Sequence, residues 1–128
     1  MIDHLGFTVS DTARSREFYL TALAPLGYAP VMDVTREMTG GYEGTGFGAD
    51  GKPSFWIGNG EKVSGPSHVA FKAPTREAVD RFYAAAIAAG ASDNGPPGIR
   101  AHYHPDYYGA FVLDHDGNNI EAVCHARA

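Results

Sequence analysis

Leu5, Phe7 and Val9 alternate with His4, Gly6 and Thr8, so an extended segment running from Met1 presents one apolar and one polar face. Ser10 or Asp11 then offers a helix cap. Phe18, Tyr19, Ala22 and Leu23 follow at helical spacing, and Pro25 and Gly27 stop the helix. The same order returns further along. Val69, Phe71 and Ala73 alternate with His68, Ala70 and Lys72, and Thr75 offers the cap. Val79, Phe82, Tyr83, Ala86 and Ile87 form the apolar stripe that Gly90 ends.

Setting His4 over His68 (68 − 4 = 64) puts Phe7 on Phe71, Phe18 on Phe82 and Tyr19 on Tyr83. Three strand-like segments follow each helix. They are Tyr28 to Asp33, Tyr42 to Gly48 and Pro53 to Gly58, then Arg100 to His104, Tyr107 to Asp114 and Asn119 to Cys124. Asp50-Gly51 and Asp116-Gly117 read as hairpin turns. The plan is βαβββ twice, an α+β architecture. Module 1 covers about 1–58, a Gly/Ser-rich linker 59–66, and module 2 about 67–125. The offset exceeds a solenoid period, so a duplicated unit forming one pseudo-symmetric domain over 1–128 is expected.

A chain of 128 residues can bury a substantial core. The formal net charge is −5 and no Lys/Arg run occurs, which argues against a nucleic-acid partner. Cys124 is the single cysteine, so no internal disulfide forms, which fits a reducing compartment. No basic leader and no apolar run of membrane length is present. No membrane partner and a cytoplasmic location are therefore expected.

Several side chains carry candidate chemistry. His4 and His68 share the faces opposite the large apolar residues. Glu121 interrupts the apolar run Ile120 to Val123, where an inward carboxylate is costly unless it meets a cation. Alternation would place His102 and His104 on one strand face as general acid or base, with Tyr103 on the other. Tyr103, Tyr107 and Tyr108 would supply phenols, Trp56 a flat pocket wall, and Arg100 a partner for a substrate carboxylate. Tyr42 and Glu43 follow Gly40-Gly41 on an expected loop at the pocket mouth. His115 and His125 read as surface residues, and Cys124 as buried under a helix.

Ile2-Asp3-His4-Leu5, Asp11 through Tyr19, Ser67-His68-Val69-Ala70-Phe71, and the closing Phe111 through Glu121 together resemble the vicinal oxygen chelate superfamily. That group includes glyoxalase I, extradiol dioxygenases, fosfomycin-resistance enzymes and bleomycin-binding proteins. The resemblance covers nearly the whole chain. It implies paired modules forming a half-open cup around a metal, with ligand positions at His4, Trp56, His68 and Glu121. Tryptophan is no ligand, so His4, His68 and Glu121 remain, a set that suits a divalent Fe, Mn, Zn or Ni ion. Two further departures are His115, where the family usually has proline, and Phe111, where the dioxygenases have tyrosine. The implied function is a divalent-metal enzyme, usually a homodimer, acting on a small oxygen-rich substrate. Lyase or isomerase chemistry, thiol transfer and ring-cleaving oxygenation stay open. The alternative is a metal-free small-molecule binding protein of the bleomycin-resistance type.

Overall fold

The computed structural model describes residues 2–61 and 65–127. The first half runs β1 (Leu5–Thr8), α1 (Thr12–Leu23), β2 (Ala29–Val34), a short α2 (Arg36–Thr39), β3 (Gly44–Ala49) and β4 (Lys52–Gly58). The second runs β5 (His68–Lys72), α3 (Arg76–Ala88), β6 (Ser92–Ile99), β7 (Tyr108–Leu113) and β8 (Asn119–Cys124). Two separate four-stranded mixed sheets result, ordered β1-β4-β3-β2 and β5-β8-β7-β6. This is the expected α+β fold of paired βαβββ modules. The sheets stay open and do not merge within the chain.

Local chemistry sets these elements. The Asp11 carboxylate accepts from Arg14 N at 3.0 Å and Thr75 Oγ1 accepts from Ala78 N at 3.0 Å, each capping its helix. Asp50 and Gly51 both hold positive φ, 55° and 74°, as a tight hairpin joining β3 to β4 requires. The duplication survives in the register. Gly6 pairs with Trp56 as Ala70 pairs with Glu121, so Trp56 and Glu121 occupy equivalent places.

The apolar faces of both sheets meet the helices in one core. Phe55 stands edge-on to Phe71 at 5.0 Å and to Phe7 at 5.4 Å, and Tyr28 meets Phe71 at 5.5 Å. Tyr19, Phe18, Phe47, Phe82 and Val112 are fully buried there, as is Cys124. A polar knot joins the halves inside it. Asp114 is buried and accepts from Tyr19 Oη at 2.6 Å, from Asn118 N at 2.8 Å and from Asn118 Nδ2 at 2.9 Å. Asp116 N donates to it at 2.9 Å. Asn118 Oδ1 in turn accepts from Ser67 N at 2.8 Å, which anchors the start of β5.

The structure corrects several expectations. Residues 100–104 form a turn, and the strand that follows α3 is Ser92–Ile99. Its Gly95, Pro96, Pro97 and Gly98 hide it from a hydrophobic pattern, and prolines are tolerated because it lies at the sheet edge. His102 and His104 therefore share no strand face. Pairing of β1 begins at Leu5, so His4 stands just ahead of the strand, and Met1 lies outside the described residues. Ile87 is 37% exposed, and Tyr83 is half-buried with its hydroxyl on Asp93. His115 is half-buried and packs edge-on against Phe18 at 5.3 Å, wedged by the chain reversal after β7. Residues 62–64 of the expected linker lie outside the described ones.

Asp114→Ala would strand a buried phenol and two backbone amides, so a loss of about 3–5 kcal/mol is expected, against about 1.5–3 kcal/mol for Tyr19→Phe. Burial first, and then Asp114, holds the Tyr19 phenol protonated well above the ordinary range. The folded group thus binds its proton more tightly than the unfolded one. Its contribution is full below the unfolded value and falls as pH rises past about 10. Urea unfolding at neutral and alkaline pH should show the gap between wild type and Tyr19→Phe narrowing.

Candidate functional site

Glu121 sits in β8, where Asn119 and Glu121 share one face and Ile120 and Ala122 the other. The apolar side is committed to the core, so Glu121 emerges on the outer face of its sheet. It is nonetheless only 2% exposed, covered by its neighbours. Its cross-strand partner is Phe111. Glu121 Oε1 lies 3.3 Å from Nε2 of His68, an imidazole that is half open to solvent. Tyr107 donates a hydrogen bond to Glu121 Oε2. Burial, followed by that carboxylate, pushes the Tyr107 phenol well above its ordinary pKa, so it stays protonated and donates. These groups and Asn119, Tyr103 and Phe111 line an open cleft of about 500 Å³.

Two details fix the proton positions. His68 Nδ1 lies 2.9 Å from the Asn119 carbonyl oxygen, which can only accept. Nδ1 therefore carries the proton and Nε2 faces Glu121. The equivalent imidazole is held in the same way. His4 Nδ1 lies 2.7 Å from an Asp3 carboxylate oxygen that also accepts from Lys52 Nζ at 2.8 Å. The hydrogen bond from His4, and then Lys52, holds the Asp3 carboxyl below the usual carboxylate range. A histidine tied through one ring nitrogen to an oxygen acceptor is the arrangement that orients metal ligands.

Within one chain the expected triad does not assemble. Among the described residues no three His, Cys, Asp or Glu side chains could hold a common ion. His68 and Glu121 meet, while His4 stands just ahead of β1 of the other sheet, and the shared core takes up the opposite faces of both sheets.

That first sheet carries its own cleft of about 350 Å³, lined by Gly6, Thr8, Trp56, Tyr42 and Gly58 among others. The Trp56 indole lies against Gly46, where no side chain stands in its way. A Cβ there would stand 2.8 Å from the ring. Tyr42 likewise covers Gly44 and Gly58. Sequence periodicity did not reveal this glycine floor, although the alternating glycines of Gly44-Thr45-Gly46-Phe47-Gly48 signal it. Glu43 turns away from the cleft to Thr12 Oγ1 at 2.7 Å and Arg36.

The remaining expected site residues divide. Tyr103 and Tyr107 line the cleft beside Glu121. Arg100 sits over the Phe111 ring at 5.4 Å, with its guanidinium donating to the Pro96 and Gly98 carbonyls at 2.7 and 2.9 Å. Tyr108 does not face the cleft. Residues 108, 110 and 112 of β7 turn toward α3, and its hydroxyl donates to Asp80 at 2.6 Å. His102 and His104 are exposed on the turn and do not line the cleft. His102 packs on Tyr103 at 4.1 Å, and His104 Nδ1 accepts from Asp106 N at 3.1 Å. His125 is exposed, with its ring against Tyr107 at 5.3 Å.

Among curated proteins, none matches the chain. Solved structures do. A glyoxalase/bleomycin resistance protein from Albidiferax ferrireducens is 29% identical, with a TM-score of 0.70 over 95% of this chain and 96% of that one. Glyoxalase I from Zea mays is 17% identical, with a TM-score of 0.71 over 95% of this chain and 43% of that one. A variant of the fosfomycin resistance protein FosX from Listeria monocytogenes was solved with Mn(II) and 1S,2S-dihydroxypropylphosphonic acid. It is 17% identical, with a TM-score of 0.69 over 96% of this chain and 90% of that one. At these identities the likeness to the last two is one of fold. Residues 1–122 match the family description as well, and with the duplicated register this settles the affiliation: the chain belongs to the glyoxalase/bleomycin resistance protein/dioxygenase superfamily.

Proposed function

We propose that this protein is a divalent-metal enzyme whose ion is held by His68 and Glu121 of one chain and His4 of a second copy. The carrying observation is the facing pair of His68 Nε2 and Glu121 Oε1, 3.3 Å apart, with the other atom of each group already engaged. A buried carboxylate facing an imidazole nitrogen needs a proton or a cation between them. The buried amide oxygen of Asn119, in the same cleft, has no hydrogen-bond partner among the described residues. It adds a second acceptor aimed at a donor or cation. His4 directly precedes Leu5, where pairing of β1 begins, at the sequence position equivalent to His68, and its Nδ1 likewise faces an oxygen acceptor. A homodimer would bring the two outward faces together.

The donor set, two imidazoles and one carboxylate, suits Mn, Fe, Zn or Ni and leaves coordination positions open. Bound there, such an ion would supply Lewis acidity to a small oxygen-rich substrate. The protein's own groups do the rest. Tyr107 keeps its proton on Glu121 Oε2, Phe111 and Tyr103 wall the cleft, and Arg100 adds positive charge beside Phe111 for an anionic substrate group. Trp56 and Tyr42 would offer the facing sheet's flat surface. That surface equally supports the metal-free binding reading, since its rings need no ion to hold a ligand.

Purified wild type should carry stoichiometric divalent metal, and His68→Ala and Glu121→Ala should carry negligible metal. Metal analysis showing equally little in all three would remove the enzyme reading. His4→Ala and Glu121→Ala homodimers should each fail to bind Mn(II), yet regain part of the binding when refolded together, because each mixed dimer has one intact site. Absence of recovery would show that the ion is not shared between chains. Trp56 is the only tryptophan, so its fluorescence reports on the glycine-floored cleft directly. Quenching by an aromatic ligand that persists at full strength after EDTA treatment would favour the metal-free binder.

A further inference from the structure

We infer that Tyr107 is a positioning residue for Glu121, reaching it through a groove that exists because residue 109 is glycine. The inference rests on the metal-site reading above. Glu121 faces Phe111 across the strand pair, and Phe111 has no donor to offer its carboxylate. The next residue on that face of β7 is Gly109, opposite Val123. A Cβ at Gly109 would lie 3.2 Å from Tyr107 Cε1, asking the ring to give by a few tenths of an ångström, and in ordinary contact at 3.4 Å with Glu121 Oε2, so a branched side chain there would stand between the phenol and the carboxylate. Tyr107 precedes the strand, its ring passes beside Gly109 and its hydroxyl reaches Glu121 Oε2. The Tyr103 ring at 5.0 Å and the His125 ring at 5.3 Å brace it from the sides.

The result is a carboxylate with its two oxygens assigned. Oε2 accepts the Tyr107 proton, and Oε1 points at His68 Nε2. One oxygen is thus reserved for an ion and the other is tied to the protein. Without the phenol the buried carboxylate can rotate, and its aim at the His68 nitrogen is lost. Neither Tyr107 nor Gly109 touches the proposed ion position; both act through Glu121.

The test is titration of EDTA-stripped, full-length protein with Mn(II), followed by calorimetry. Wild type, Tyr107→Phe, Gly109→Val and the double variant are compared, with thermal melts confirming that each is folded. Tyr107→Phe removes one oxygen and keeps the ring, and a loss of Mn(II) affinity of about 10–100-fold is expected. Gly109→Val leaves the phenol in the chain and closes its groove, so it should show a similar loss. The double variant should be no worse than the poorer single one, since both remove the same interaction. A merely structural role would lower the melting temperature without this shared, non-additive loss. Wild-type affinity in folded Tyr107→Phe overturns the inference and leaves the metal site standing. Fully additive losses overturn the groove route. Should Tyr107→Phe not fold, unchanged affinity in Gly109→Val overturns it. No Mn(II) binding by the wild type overturns the metal-site reading and this inference together.

Discussion

A four-stranded sheet can bury one face against helices and still leave the other to solvent, and here both sheets bury that face in the same core. The placement of the candidate site residues follows from this constraint. Phe55 meets Phe71 across the middle, and the Tyr19 hydroxyl crosses from α1 to the Asp114 carboxylate in the turn between β7 and β8. The modules are locked together by their apolar sides. The outward faces at which His4 and His68 stand are consequently on separate halves, and within one chain the two imidazoles share no ligand cluster among the described residues. This separation is why the proposed ion site draws His4 from a second copy.

The electrostatics of the second sheet agree with that picture. Glu121 is almost fully covered, and the group facing its Oε1 is a half-open imidazole whose Nδ1 already donates to the Asn119 carbonyl. Such a carboxylate is uncomfortable in isolation. Tyr107 relieves one oxygen by donation, and the other remains directed into the cleft. The first sheet solves a different problem at the equivalent place. Trp56 replaces the carboxylate with a flat apolar surface, and the glycines beneath it let the ring lie against the strands. The two halves of the duplication have thus diverged into a face carrying the His68–Glu121 pair and a ring-lined face.

The short-range features were legible from the residues. Period-two and helical spacing predicted both modules, the helix caps at Asp11 and Thr75 and the hairpin at Asp50-Gly51, because each depends on neighbours a few positions away. The segment over residues 100–104 went wrong for a physical reason. Its aromatic and histidine alternation imitates a strand, whereas the true edge strand contains Pro96 and Pro97, which carry no β signal. The same error placed His102 and His104 on a pocket wall; Tyr108, expected in the pocket, instead gives its hydroxyl to Asp80 on α3.

By itself the sequence determined a duplicated α+β plan, the equivalence of His4 with His68, and a carboxylate at Glu121 in a run too apolar for an idle charge. Which groups meet was decided only by tertiary structure. The pairing of His68 with Glu121, the separation of His4 from both, and the passage of Tyr107 over Gly109 all depend on how whole sheets are aimed and how far side chains extend across strands. Alternation along one strand says which face a residue occupies. It carries no information about what that face looks toward, because that direction is set by the packing of a core assembled from residues distant in the chain.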